Sequence, residues 1–343
     1  MQAQDAVRAA TGEEFRVKAG GLLPPEEIKR LSRLSPARTW LAVAELVAAY
    51  GATVALTLAF WHPLTILAAL VVIAAIQHAL MVLTHDAAHY RLFASRRAND
   101  TLGRALGAVI GISMCAYRVV HRLHHNHLYE RMDPDLPLMA GYPRGRWYLI
   151  RRLLRDLTGI TAYKNYAYFF GAPSANAETG QSLRPLDDTS PALRRAALND
   201  RWLVAGVQVG LLAVAVLTGL WPYYLLLWML PALSPLQAIL RLRAVMEHGA
   251  VGDLSNPRTA ARTTMMPAWA GWLLAPFQVN YHIEHHLYPS IPHYRLAEAH
   301  LRLKAAGALE GAEVRRFADT LRQIFAERRP QAQVQPQARP EHA

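Results

Sequence analysis

Histidines gather in three short stretches of this 343-residue chain: "HDAAH" (residues 85–89), "HRLHH" (121–125) and "HIEHH" (282–286). Within each stretch they stand three or four residues apart, so in a helix they project from one face. The eight histidines concerned are His85, His89, His121, His124, His125, His282, His285 and His286. Each stretch therefore predicts a group of imidazoles directed at one place.

Metal binding is the chemistry that such groups favour. Imidazole binds zinc, copper, iron and nickel, so the ligand type does not identify the metal. Structural zinc takes four protein ligands and catalytic zinc typically takes three, so eight histidines indicate two ions. Cys115 is the only cysteine, which excludes a disulfide framework and a thiolate cluster. The alternative of solvated or core histidines accounts for one stretch but poorly for three.

Acids and an amide near the three stretches are candidates to orient the ligands, because a metal-bound imidazole normally donates its other N–H to an oxygen. For each of them a plain surface role is the alternative, and two in "MDPDLP" could instead cap a helix. These residues are Asp86, Asp133, Asp135, Glu247, Asn280 and Glu284.

Seven of the fifteen histidines lie outside the repeated spacing. Three of them stand close to a stretch but out of its register, and two are expected to take no part. The first three are His127, His293 and His300, and the other two are His62 and His342.

Four apolar runs are long enough to cross a bilayer as helices, which takes about 20 residues. They cover residues 39–61, 64–83, 202–220 and 223–243, and only two residues separate the members of each pair. The pattern predicts an all-α integral membrane protein built from two helical hairpins. A shorter run at 102–117 contains an arginine and three glycines, and is predicted to be interfacial or re-entrant.

Arginine-rich segments adjoin the spans on one side only. The positive-inside rule places residues 1–38, 84–201 and those after 240 in the cytoplasm. All three histidine stretches then face the cytoplasm, within a helical cap. We divide the chain into a cytosolic segment (1–38), a membrane domain (39–329) and a disordered tail (330–343). The excess of Arg over Lys and the many alanines are typical of GC-rich bacteria, which suggests a bacterial inner membrane.

Three polar residues interrupt the spans and are costly there unless they face protein or a cavity. They are Glu45, Gln77 and His78. His78 stands two helical turns before His85, so it could line a path to the metals or pair with Glu45. A satisfied contact between helices is the simpler interpretation.

In this pattern the chain resembles the membrane fatty acid desaturase and hydroxylase superfamily. That superfamily carries three boxes of the forms His-x3/4-His, His-x2/3-His-His and His-x2/3-His-His, and the resemblance extends over residues 40–300, including "HHLYPSIPHYRL". It implies a non-haem di-iron centre that reduces O₂ with two electrons from a separate donor. It also implies a further histidine ligand between boxes two and three, for which His248 is the candidate.

The predicted function is therefore O₂-dependent desaturation of a fatty acyl chain. A hydroxylase, a carotenoid ketolase or hydroxylase, and an oxidative decarboxylase that forms terminal alkenes are alternatives that use the same boxes. A metal transporter is a further alternative, although transporters hold their ligands near the bilayer midplane. The net charge is +12, and the basic residues flank the apolar runs. This distribution favours anionic lipid headgroups over nucleic acid as the binding partner of the chain. A ferredoxin, rubredoxin or cytochrome is expected to dock on this basic surface.

Overall fold

The computed structural model describes residues 21–130, 132–176, 181–187, 189–254 and 256–327, and most of these residues are helical. The predicted tail 330–343, including His342, lies outside the described residues, as does the start of the predicted cytosolic segment. After a short helix α1 (Pro25–Leu31), the described part of the chain holds four helices that are long and apolar enough to cross a membrane. These are α2 (Pro36–Ala59), α3 (Pro63–Ala88), α9 (Pro191–Leu217) and a broken helix over Trp221–His248.

The observed helices extend beyond the apolar runs that predicted them. Helix α3 continues past residue 83 to Ala88, and the fourth helix continues past residue 243 to His248. The apolar runs mark only what hydrocarbon can cover, whereas the helical backbone carries on into the histidine site. Helix α3 is mostly buried, while α2 and α9 expose most of their surface. It is therefore the central helix of the bundle.

Prolines break the fourth helix into four pieces. These are α10 (Trp221–Tyr224), a π-helical turn (Leu225–Met229), α11 (Leu230–Leu233) and α12 (Pro235–His248). A proline in a helix frees a carbonyl that must find another donor inside a membrane.

Two glutamines donate to carbonyls at this break. Gln77 Nε2 of α3 donates to the Trp228 carbonyl at 2.8 Å, and Gln237 Nε2 donates to the Ala232 carbonyl at 2.5 Å. Gln77, one of the polar residues predicted within the spans, thus makes an interhelical hydrogen bond through Nε2, while its buried Oε1 has no partner among the described residues.

The apolar run at 102–117 forms no single element. It is shared between α4 (Arg96–Val109) and α5 (Met114–Asn126), whose axes meet at 99°, as in a broken span or a re-entrant segment. Asp200 of α9 is fully buried at this corner and accepts from Ser113 Oγ at 2.9 Å and the Cys115 N–H at 3.0 Å. Arg104 Nε donates to the same carboxylate at 2.7 Å. This carboxylate therefore fixes the start of α5.

Shorter elements complete the described fold. The prediction of an all-α protein needs correction, since four strands of three residues each pair as antiparallel β1–β2 and parallel β3–β4. Sequence periodicity could not reveal strands this short. In chain order the elements are α6 (Leu136–Met139), α7 (Arg146–Leu157), α8 (Ala162–Phe169), β1 (Ser174–Asn176), β2 (Gln181–Leu183), α13 (Pro257–Ala260), β3 (Thr263–Met265), α14 (Ala268–Leu274), α15 (His282–Leu287), α16 (Leu296–Ala305), β4 (Val314–Arg316) and α17 (Phe317–Ile324).

Candidate metal centre

Two clusters of histidines form among the residues that the structure describes. In each cluster, one potential ligand atom from every member lies within 4.8 Å of all the others. The five-histidine cluster comprises His85, His89, His121, His125 and His285. The four-histidine cluster comprises His124, His248, His282 and His286.

Helices α5 and α15 each contribute to both clusters. His121 and His125, one turn apart on α5, join the five-histidine cluster, whereas His124 joins the other. Neighbouring residues on a helix point about 100° apart, so a His-His pair serves two sites. The second and third boxes are therefore divided between the clusters, whereas both histidines of the first box join the five-histidine cluster, so no box forms a site alone.

Ring nitrogens in the five-histidine cluster approach one another closely. Nε2 of His285 lies 3.0 Å from Nε2 of His85 and 2.9 Å from Nε2 of His125, which is itself 2.9 Å from Nε2 of His121. Nε2 of His89 is buried with no hydrogen-bond partner among the described residues. The cluster thus brings together imidazole nitrogens drawn from three separate helices.

The four-histidine cluster has the same spacing. Nε2 of His282 lies 2.8 Å from Nε2 of His248 and 3.1 Å from Nε2 of His286. A metal ion binds histidine nitrogen at about 2.0–2.1 Å, so adjacent ligands at a right angle stand about 3 Å apart. The observed spacing matches the edges of such a coordination shell.

Burial keeps these rings in the form that binds metal. Desolvation lowers the pKa of His282, His285 and His286 well below the usual value, and does the same for His89 at the end of α3. A neutral imidazole has a free lone pair, which a metal ligand requires. The donor set therefore fits two metal ions, one in each cluster.

Asp133 orients one ring of the four-histidine cluster. Its Oδ1 lies 3.0 Å from His124 Nδ1, and the carboxylate also accepts from the backbone N–H groups of Tyr129 and Asp135, both at 2.9 Å. Asp135 Oδ2 lies 3.4 Å from the same ring nitrogen. Three donors already occupy the Asp133 carboxylate, so it supports His124 and leaves Nε2 for a metal.

His248 and His282 have oxygen atoms behind them as well. His248 Nδ1 lies 3.2 Å from the Ala260 carbonyl, and the Tyr129 hydroxyl donates to the His248 carbonyl. Glu247 Oε1 lies 3.7 Å from His282 Nδ1 and accepts from Arg243 Nε at 2.7 Å. Two of the four rings, those of His124 and His248, therefore have a hydrogen-bonding oxygen at Nδ1, whereas His282 Nδ1 has no hydrogen-bond partner among the described residues.

Asp86 stands behind the five-histidine cluster. Its Oδ1 lies 3.4 Å from His85 Nδ1, a long contact, while Oδ2 lies 2.8 Å from His293 Nδ1. His293, one of the out-of-register histidines, therefore contacts an orienting carboxylate. The two residues are 207 positions apart, so no local pattern could have paired them.

Glu284 and Asn280 do not contact the nine rings in the way that the sequence analysis suggested. Glu284 accepts from Thr263 Oγ1 at 2.5 Å and pairs with His300 Nδ1 at 2.6 Å. Asn280 Nδ2 donates to the Thr264 carbonyl at 3.0 Å. Both residues instead tie α15 and its approach to β3 and α16, because a fully buried carboxylate needs hydrogen-bond donors of its own.

The remaining histidines lie away from the clusters. His127 pairs with exposed Glu130 at 2.8 Å, and His62 caps the start of α3. His78 Nε2 lies 3.1 Å from Arg243 Nη1, an interhelical contact, while Glu45 is exposed on α2. The pairing of His78 with Glu45 is therefore not observed.

Arg118 is a supporting residue that the sequence analysis missed. It donates through Nη2 to the Ala87 carbonyl at 2.9 Å and through Nε to the Ala88 carbonyl at 3.1 Å, and it pairs with Asp100 at 2.6 Å. It thereby satisfies the carbonyls at the end of α3, where His85 and His89 stand. Its position on α5 three residues before His121 was the only available signal.

A cavity of about 110 Å³ lies beside both clusters. His121 of the five-histidine cluster borders it, as do His124, His248 and His282 of the four-histidine cluster. Its apolar lining includes Met81, Ile112, Phe169 and Leu240, and its polar lining includes Tyr117, Asp135, Asn165, Tyr168, Arg241, Arg243 and Glu247. The cavity is the natural place for a substrate to meet the metals.

Comparison with known proteins identifies the family to which this arrangement belongs. The family model for fatty acid desaturases matches residues 59–318, which include all nine clustered histidines. The chain belongs to the fatty acid desaturase family. Membership supports an oxidoreductase with bound metal, embedded in a membrane by its apolar helices.

Individual desaturase-family relatives are distant and differ in name. Dihydrorhizobitoxine desaturase of Bradyrhizobium elkanii is 27% identical over 289 residues, covering 79% of this chain and 77% of that protein. An endoplasmic-reticulum omega-3 fatty acid desaturase of Vigna radiata var. radiata is 26% identical, covering 64% of this chain and 60% of that protein. A beta-carotene ketolase of Paracoccus sp. (strain N81106 / MBIC 01143) is 26% identical, covering 68% of this chain and 79% of that protein.

Proposed function

We propose that this protein uses O₂ to introduce a carbon–carbon double bond into a fatty acyl chain. The observation that carries the proposal is the pair of buried histidine clusters that share α5 and α15 beside one cavity. Nine imidazoles without a thiolate suit iron, among other metals. Two irons, when bound, would supply the reduction of O₂ and the removal of hydrogen from an unactivated C–H bond.

The chain's own residues would bind and position the reacting groups. The five-histidine cluster and the four-histidine cluster would each hold one iron, and Asp133 would hold the His124 ring in place through its Nδ1–H. The Met81, Ile112 and Phe169 side chains would exclude water from the reacting carbons. For each double bond, one O₂ and two electrons from outside take up two substrate hydrogens and two protons to give two waters.

The electron source, orientation and location form part of the same proposal. We assign the donor as a ferredoxin, rubredoxin or cytochrome that docks on the arginine-rich face. We further propose that the chain lies in a bacterial inner membrane, with both termini and the histidine clusters in the cytoplasm. The support is the concentration of arginine in the segments that adjoin one end of the spans.

Oxygen insertion is the second candidate, because two of the relatives are named beta-carotene ketolases. Hydroxylation and oxidative decarboxylation also begin with removal of hydrogen and would use the same metals. The ionic groups in the cavity favour a substrate with a polar group near the reacting carbon over a wholly hydrocarbon one. That reasoning ranks an acyl compound ahead of a carotene.

Gas chromatography with mass spectrometry of total fatty acids and volatile hydrocarbons tests this proposal. Cells expressing the wild type are compared with cells expressing His285→Ala and the matched variant His127→Ala, whose ring lies outside both clusters. We expect a new unsaturated acyl chain with the wild type and His127→Ala only. A hydroxylated acid, a ketone or a terminal alkene in its place would reject desaturation and retain the metal site.

A further inference from the structure

The cavity beside the histidine clusters is bordered by one member of a buried ion pair that the proposed metal chemistry does not use. Arg241 lies in the fourth membrane-spanning helix, is 5% exposed and borders the cavity. Its Nε and Nη2 donate to the two oxygens of fully buried Asp156, the second at 3.0 Å. An ionisable residue that faces the interior of a membrane bundle commonly marks the path of a substrate.

Arg241 retains donors after pairing with Asp156. A guanidinium carries five N–H groups, and the two on Nη1 are not needed for that pair. Asn165 of α8 borders the same cavity and donates one Nδ2 hydrogen to Gln237 Oε1 at 2.7 Å. It keeps a second N–H and a carbonyl oxygen. The two side chains can therefore offer several hydrogen bonds to an oxygen in the cavity.

The distance to the metal site is short. Arg241 and His248 are both on α12 and seven residues apart, so they stand roughly 10 Å apart along one face of the helix. The cavity between them measures about 110 Å³. A cavity of about 150 Å³ holds the six heavy atoms of benzene, so the enclosed part of a substrate here amounts to roughly four heavy atoms.

An alkyl chain alone would suit this site poorly. It would cover the guanidinium of Arg241 and the amide of Asn165 without accepting their hydrogen bonds, and unmet polar groups are costly in a buried site. A carbonyl or carboxyl oxygen would accept them. The apolar wall formed by Met81 and Ile112 then suits a short hydrocarbon segment between that oxygen and the metals.

We propose that Arg241 and Asn165 form a subsite for the carboxyl-derived oxygen of the substrate, enclosed a short way from the carbons that react. This inference rests on the proposed function and specifies its substrate. The enzyme acts on an acyl compound held by its carboxyl end, and the reacting position is counted from that end. The oxygen belongs either to a free carboxylate or to a neutral ester or amide.

Binding to the purified, metal-loaded protein in detergent tests the subsite without turnover. The probes are octanoate for the carboxylate, octanamide and methyl octanoate for a neutral carbonyl, and octane for the tail alone. The variants are Arg241→Met/Asp156→Met, which removes the buried pair together and leaves no lone charge, and Asn165→Leu. Arg155→Gln is the control, since this exposed arginine of α7 is next to Asp156 in sequence and outside the cavity.

We expect the double variant to bind the oxygen-bearing probes about tenfold or more weakly, which corresponds to one lost charge-assisted hydrogen bond. Asn165→Leu should reduce the affinity for these probes by less, and the affinity for octane should not change in either variant. A loss confined to octanoate identifies a free acid, and a loss shared by octanamide and methyl octanoate identifies a neutral carbonyl. Equal affinity of the wild type and both cavity variants for every oxygen-bearing probe overturns the proposal.

Product analysis separates this inference from the proposed function. With acids of increasing length, a double bond that keeps its position relative to the carboxyl carbon supports the subsite. One that keeps its position relative to the methyl end rejects the subsite and leaves desaturation standing. Conversely, Arg241-dependent binding with no unsaturated product from reduced, metal-loaded protein rejects desaturation and leaves the subsite standing.

Discussion

The two histidine clusters both draw on the second and third boxes, but they differ in the oxygen atoms that contact their rings from behind. Two rings of the four-histidine cluster have a hydrogen-bonding oxygen behind them, from Asp133 at 3.0 Å and from the Ala260 carbonyl at 3.2 Å, while Glu247 lies 3.7 Å from a third ring. In the five-histidine cluster, the corresponding support is the 3.4 Å contact between Asp86 and His85. A site with fewer ligands depends more on the orientation of each one, which hydrogen bonds to the other nitrogen of each ring provide.

The clusters also differ in their relation to the cavity. Three members of the four-histidine cluster border it, whereas His121 is the member of the five-histidine cluster that does. With four protein ligands, the four-histidine cluster would also leave more coordination positions open on a bound metal than the five-histidine cluster would. We infer that the metal of the four-histidine cluster stands nearer the substrate, and that the five-histidine cluster holds its metal more by ligand number than by ligand orientation.

Removal of one ligand from each cluster should have the largest effect. His285→Ala should release the metal of the five-histidine cluster and His286→Ala that of the four-histidine cluster, and each change should abolish turnover. Elemental analysis of the purified variants measures this, with His127→Ala, whose ring lies outside both clusters, as control. Loss of both metals from either single variant would show that the clusters are not independent.

Substitution of the carboxylates that contact the ligand rings should have the next largest effect, and its effect on metal affinity should differ between the two clusters. Asp133→Asn should lower metal affinity at the four-histidine cluster by about 10–100-fold, since the carboxylate accepts from His124 at 3.0 Å. Asp86→Asn should have a smaller effect, because its contact with His85 is long. Competition with a graded chelator gives both affinities. The reverse order of effects would contradict the proposed difference in support.

Much of this architecture follows from the sequence. The four apolar runs locate the four long helices, and the spacing of the three boxes places eight histidines on helix faces. His248 was assigned by resemblance alone, and in the structure it stands at the end of the same helix as the fourth apolar run. Span ends shifted because hydropathy reports the hydrocarbon-covered part of a helix and not its full length.

The partition into clusters could not be read from the sequence. Whether His124 groups with His125 or with His286 depends on how α5 is rotated against α15, which tertiary packing decides. The same holds for the contact of Asp86 with His293 and of Arg104 with Asp200, which join residues far apart in the chain. Glu284 was expected to orient a ligand because it lies between ligands, but alternate residues of a helix point to different sides.

Removal of the Arg118 guanidinium of α5, which contacts the end of α3, should destabilise the fold beside the five-histidine cluster. Arg118→Met leaves the Ala87 and Ala88 carbonyls without this donor and Asp100 without its ion-pair partner. We expect a loss of about 1–3 kcal/mol in unfolding free energy, because charged hydrogen bonds are removed. Thermal unfolding of the metal-free protein measures it, with the exposed Arg122→Met on the same helix as control. An unchanged midpoint would remove Arg118 from the support of α3.

The smallest effect is expected at His248 of the four-histidine cluster, which is held by more than one hydrogen bond. Tyr129→Phe deletes the hydroxyl that donates to the His248 carbonyl and leaves the ring in place, which should cost about 0.5–1.5 kcal/mol. Because His248 Nδ1 still faces the Ala260 carbonyl, both metals should stay bound and chelator resistance should fall slightly at this cluster alone. Tyr163→Phe, at an exposed position, is the control. If Tyr129→Phe weakened the metal more than Asp133→Asn did, backbone placement of His248 would outweigh ring orientation as the basis of this cluster.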